Sequence, residues 1–145
     1  MPSEPKLLLV IEDEPDCRQV LALQLAELWP DCALSFAACL TEAERVLDSC
    51  LPDLVMADLK LTDSLPETTI AVLLDQLPPL LPLVVVSGYM TPLEGQEMLR
   101  LGADAFIVKG TSKGDIQQRL LHTWLRAVGR QTRAQRHALV GVGSG

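Results

Sequence analysis

The sequence predicts an α/β fold, a doubly wound (βα)5 arrangement in which five parallel strands alternate with five helices. Five short apolar runs, Leu7–Ile11, Ala33–Ala37, Leu54–Ala57, Leu83–Val86 and Ala105–Val108, recur along the 145 residues. Most are continuous rather than alternating, the pattern of strands buried on both faces of a parallel sheet. The segments between them have helical periodicity, and three open with cap signals. Right-handed crossovers then place helices on both faces of the sheet.

The first run is followed at helical spacing by Val20, Leu21, Leu25 and Leu28, and the second by Ala43, Val46 and Leu47. Ile70, Leu73, Leu74 and Leu77 follow the third run, Met98 and Leu101 the fourth, and Ile116, Leu120 and Trp124 the fifth. Thr41-Glu-Ala-Glu44, Ser64-Leu-Pro-Glu67 and Thr91-Pro-Leu-Glu94 match the S/T-x-x-E capping box, two of them with proline available for the first turn. In the fifth helix an apolar arc runs from Ile116 through Ala127, Leu120, Trp124, Val128 and Leu121 to Leu125. It covers about half the circumference, wider than the roughly 100° stripe one core face needs. Its outer part reads as a broad core stripe or as a partner or dimer surface.

Length fits one domain, and 48% apolar residues suffice for a core. With only 3% aromatics, that core is aliphatic. The net charge of −7 argues against a nucleic-acid-binding domain, which carries a basic footprint. The charge is uneven: residues 1–115 hold all 19 acids and seven bases, a net of −12, whereas residues 116–145 hold five arginines and no acid. No run approaches the roughly 20 apolar residues that span a bilayer, and Met1-Pro2-Ser3-Glu4 lacks a signal-peptide pattern, so no membrane association and a cytoplasmic location are expected. Cys17, Cys32, Cys39 and Cys50 form no C-x-x-C pair and read as reduced, small apolar residues. The Gly-rich end, Gly141–Gly145, is expected to fray.

In open α/β sheets ligands bind beyond the carboxyl ends of the strands. Glu12-Asp13-Glu14 follows the first run, Asp58 the third, Ser87 the fourth and Lys109 the fifth. The second run ends in Ala37-Ala38-Cys39, as an edge strand away from a site could. Each polar residue alone has an ordinary explanation as a cap, turn or strand exit. Together they set two or three carboxylates, a hydroxyl and an ammonium at one edge. Clustered carboxylates repel unless they share a cation, and hard oxygen donors suit Mg²⁺. A carboxylate beside Mg²⁺ and a lysine is a good phosphoryl acceptor.

These pieces, Leu7-Leu-Leu-Val-Ile-Glu12-Asp13-Glu14-Pro15, Pro52-Asp-Leu-Val-Met-Ala-Asp58, Val84-Val-Val-Ser87-Gly88 and Gly102-Ala-Asp-Ala-Phe106-Ile-Val-Lys109, stand in the order of a known family. The sequence resembles the receiver domain of two-component response regulators over about residues 5–128. The resemblance implies a flavodoxin-like strand order, 2-1-3-4-5, for a stand-alone receiver at 1–128 followed by a basic tail, 129–145, as helix extension or disordered segment. It implies Asp58 as phosphoacceptor and Glu12 and Asp13 as the acid pair for Mg²⁺, with the Lys60 backbone carbonyl and Asp58 completing the protein ligands. Ser87 and Lys109 would stabilise the phosphoryl group, and Ser87 with Phe106 would form the switch. Lys60 and Tyr89 flank the position of an attacking water and would slow phosphoryl loss. The implied partners are a histidine kinase or histidine phosphotransfer protein and a downstream protein, with a homodimer through helices four and five as one form of output.

Three departures stand out. The loop after Asp58 reads Leu59-Lys-Leu-Thr-Asp-Ser-Leu-Pro66 where the family often has Met-Pro and a glycine. Glu12 replaces the commoner aspartate. Lys109 meets Gly110 where a proline, commonly cis, is usual; a non-proline cis bond costs about 2.5–4 kcal/mol, so a trans or more mobile loop is expected. A phosphatase of the Asp-x-Asp-x-Thr type is disfavoured because Lys60 stands at the second acid position. No phosphate-binding glycine loop supports nucleotide binding. The chain is thus expected to assist its own phosphorylation and dephosphorylation only, and the rival reading is a degenerate receiver that signals without phosphate.

Overall fold

A computed structural model describes residues 4–88 and 90–143, the side chains of 140–143 excepted. Strands and helices alternate as β1 (Leu7–Ile11), α1 (Pro15–Leu28), β2 (Ala33–Ala37), α2 (Leu40–Ser49), β3 (Leu54–Asp58), α3 (Pro66–Gln76), β4 (Leu83–Ser87), α4 (Pro92–Leu101), β5 (Ala105–Val108) and α5 (Lys113–Gly143). All pairings are parallel, in the order β2-β1-β3-β4-β5. The predicted fold and strand order both hold. β3 and β4 each run one residue beyond their apolar stretch, so Asp58 and Ser87 belong to the strands themselves.

Period-2 alternation divides the sheet between two aliphatic layers. Leu9, Ile11, Val55, Ala57 and Val85 pack against α2, α3 and α4. Leu8, Val10, Leu54, Met56, Val84 and Val86 pack against α1 and α5, where Trp29 meets Trp124 edge-on at 6.5 Å. β2 is an edge strand, and its Phe36 is exposed. Within α1, Leu21 and Leu25 are buried, whereas Val20, expected in the core, faces outward.

Only one of the three capping boxes forms as predicted. Thr91 caps α4, its hydroxyl accepting from Glu94 N at 3.2 Å. α2 starts at Leu40, two residues before the Glu42 start that a Thr41 cap would give, because Asp63 reaches across and accepts from the free amides of Leu40 and Thr41 at 3.0 and 3.1 Å. Pro66 sets the first turn of α3, and Ser64 lies outside the helix, bonded to the Thr69 hydroxyl. The four cysteines are free, as expected; Cys50 is exposed, the other three are half-buried, and Cys32 packs against the core.

At the amino edge of the sheet, aspartates tie down strand starts. Asp53 Oδ2 accepts from Lys6 N and Leu7 N at 2.8 and 3.1 Å, and Asp104 Oδ2 accepts from Leu83 N at 2.8 Å. Asp104 Oδ1 pairs with Arg130 at 3.0 Å, and Gln131 donates to Leu80 O. These contacts hold α5 as it passes residue 128 without a break. Helix also covers the backbone of Gly141–Gly143, where a frayed end was expected; Ser144 and Gly145 lie outside the described residues. Among the described residues no helix is long and apolar enough to cross a membrane.

Candidate functional site

The parallel register brings the strand ends level: Ile11 pairs with Ala57, Asp58 with Val86, and Ser87 with Val108. The ladder continues into the loops, with Glu12 N donating to Ala37 O and Lys109 N to Ser87 O. Glu12, Asp58, Ser87 and Lys109 therefore converge although nearly a hundred residues separate the first from the last.

Glu12 is 1% exposed and Asp58 4%. Carboxylate oxygens of Glu12, Asp13 and Asp58 lie within 4.8 Å of one another, Asp13 being the half-exposed member. Lys109 Nζ is 2.9 Å from Glu12 Oε2 and 3.0 Å from Asp58 Oδ2. Asp58 Oδ1 accepts from Lys60 N at 2.9 Å, and Glu12 Oε1 from Glu14 N at 3.2 Å. The Lys109 ammonium is the close partner of Glu12 Oε2.

The electrostatics follow from burial. Removal from water raises the Glu12 pKa, the Lys109 contact opposes this, and the Asp58 charge adds to it. Burial alone would lower the Lys109 ammonium; the two carboxylates outweigh it and hold the lysine protonated far above physiological pH. Three carboxylates against one ammonium leave two negative charges uncompensated in the ionised cluster. The oxygens of Glu12, Asp13 and Asp58 that do not face Lys109, and that residual charge, fit a divalent cation with oxygen ligands.

Lys109 reaches both acids without a following proline. The described residues contain no cis peptide, and Gly110 turns the chain at φ +89°, a conformation that favours glycine. Ser87 is buried at the end of β4. The side chain of Lys60 is exposed, and Tyr89 lies outside the described residues.

Phe106 is half-buried, its ring set against Gly95 of α4: a Cβ on Gly95 would lie 2.5–2.7 Å from three ring carbons. Arg119 donates to Phe106 O at 2.9 Å, with its guanidinium 5.8 Å from the ring centroid. Sequence reasoning named Phe106 but missed Gly95 and Arg119. A glycine inside a helical pattern was the available signal for the first; Arg119 offered none beyond its place on the last helix. A cavity of about 290 Å³ opens beside Lys109, walled by Cys17, Val20, Gln24 and Thr111, which gives the exposed Val20 a role as cavity lining.

The family model described as response regulator receiver domain matches residues 8–121. A CheY-like response regulator receiver domain protein from Methanospirillum hungatei JF-1 superposes with a TM-score of 0.76 at 19% identity, over 88% of this chain and 99% of that one. The BeF3-activated receiver domain of Klebsiella pneumoniae RstA gives 0.72 at 24% identity, over 81% and 97%. The beryllofluoride-activated NtrC4 receiver domain dimer gives 0.74 at 20% identity, over 84% and 98%. No curated protein sequence matches.

Proposed function

The chain belongs to the response regulator receiver domain family, and from that premise we propose that Asp58 accepts a phosphoryl group from a phosphohistidine of a kinase or phosphotransfer protein. An oxygen of Asp58 attacks phosphorus, the O–P bond forms as the N–P bond breaks, and the imidazole leaves. The observation that carries this reading is the Lys109 ammonium held between Glu12 and Asp58 beside a third carboxylate. Glu12, Asp13, Asp58 and the Lys60 carbonyl would hold Mg²⁺, which supplies positive charge to the transferring phosphoryl oxygens. Lys109 would offset charge on the same group. Ser87, at the next strand end, would supply a hydroxyl to the phosphoryl group and form the switch with Phe106.

In this reading the protein works in the cytoplasm and acts on no separate metabolite; water later attacks phosphorus and releases inorganic phosphate. The output is a changed protein–protein contact. Exposed Leu93 and Leu99 on α4 favour pairing with a second copy through α4 and α5 as one such contact. The test is labelling by acetyl phosphate followed by intact mass. One phosphoryl group is expected on wild type with Mg²⁺, and none without Mg²⁺ or in Asp58→Asn. An amide NMR spectrum unchanged by Mg²⁺ with beryllofluoride would instead support the phosphate-independent interaction module.

A further inference from the structure

Most of α5 lies beyond residue 121, where the family match ends. Of its arginines there, Arg130 pairs with Asp104, while Arg126, Arg133 and Arg136 are exposed and none has an ion pair among the described residues. The body's many acids therefore leave this positive charge uncompensated, and residues 116–145 contain no acid of their own. Leu121, Leu125 and Leu139 are exposed on the adjoining strip, at 37%, 53% and 73%. Leu121 and Leu139 are eighteen residues apart, about five turns, so they stand in line along roughly 27 Å of helix.

Gly129 lies at the centre of this face. It follows Leu125 and precedes Arg133 by one turn each, with His122 and Arg136 about two turns away on either side. Glycine inside a helix is less favourable than alanine. Here the fold does not require it, because a Cβ at Gly129 would meet nothing within 4 Å. Its missing side chain opens a notch. Two shallow concavities, about 680 and 360 Å³, meet at Leu125 beside it.

We propose that the outer face of α5 from Leu121 to Leu139 is a docking surface for an acidic, leucine-bearing helix of a partner protein. The arginines supply charge complementarity, the leucines an apolar seam, and Gly129 the space for close backbone approach. Nucleic acid fits less well: the seam is aliphatic, no aromatic residue stands on it for base stacking, and the rest of the chain carries −12. The surface is separate from Asp58, so the proposal stands whether or not Asp58 is phosphorylated.

Fluorescence anisotropy with a labelled synthetic amphipathic helix of about 20 residues, bearing leucines and glutamates, tests it. The protein is the full chain, in wild type and Asp58→Asn backgrounds. Binding is expected in both, weakening with salt, and falling at least tenfold in Arg126→Glu/Arg133→Glu and independently in Gly129→Leu. Far-UV circular dichroism and acetyl phosphate labelling should remain as in the parent protein. Failure to bind, binding indifferent to both variants, or equal binding of the lysine-for-glutamate peptide overturns the proposal. So does tighter binding of a labelled DNA or RNA duplex. A wild-type dimer in sedimentation that Arg126→Glu/Arg133→Glu dissociates also overturns it, because the occupant is then a second copy.

Discussion

The two edges of the sheet use aspartate in opposite ways. At the amino edge Asp53 and Asp104 accept from backbone amides of strand starts, and Asp104 also holds Arg130. Each charge there is compensated by groups of the same chain. At the carboxyl edge Glu12, Asp13 and Asp58 crowd together, and among the described residues Lys109 is the one ammonium paired with them. The first arrangement serves folding; the second leaves charge for something outside the chain to complete. The difference teaches that burial of an acid says little about its purpose until its donors are named.

That contrast is open to attack by mutation. Asp104→Ala removes a charge-assisted bond to Leu83 N and strands Arg130, whose Nε already has no partner. A loss of about 2–3 kcal/mol is expected in urea unfolding; a loss below about 0.5 kcal/mol would erase the distinction. Asp63 sharpens it, being an acid near the carboxyl edge that nevertheless works as a cap. Asp63→Ala should cost about 1 kcal/mol at neutral pH. The Leu40 and Thr41 amides hold the Asp63 carboxyl below its ordinary pKa of 3.8. The stability it adds is therefore present above that ordinary value and is lost as pH falls through the lowered one. Wild type and Asp63→Ala should accordingly converge in stability below pH 3.8, read from urea midpoints across the acid range. The smallest effect is expected at the site itself. Without divalent cations Asp58→Asn relieves like-charge crowding and should cost nothing, with a gain on the order of 1 kcal/mol or less. A clear destabilisation there would mean that Asp58 is a structural acid like Asp104.

The same contrast explains what could be read from the sequence. Leu7–Ile11, Ala33–Ala37 and Ala105–Val108 were legible to the residue as short apolar runs, although only the first is a central strand and the edge strands β2 and β5 are partly exposed. The convergence of Glu12, Asp13, Asp58 and Lys109 was legible because strand ends are set by those same runs. Helix starts were less so. Asp63 caps α2 from 23 residues away, and no local pattern can distinguish that from the unused box at Thr41. The tail was harder still: its anchoring depends on Asp104 and Leu80, both distant in sequence, and its composition alone left helix extension and disordered segment both open. Val20 failed for a related reason, since helical spacing puts it beside Leu21 but the neighbouring helix leaves a cavity there.

The lysine shared by Glu12 and Asp58 also has a temporal meaning. It stands 51 residues after Asp58. At ribosomal speeds of roughly 5–20 residues per second, it emerges several seconds after the last of the three acids. A growing chain thus carries all three acids before their ammonium is made. On the proposed function, a chain truncated before Lys109 is therefore expected to be a poor phosphoryl acceptor.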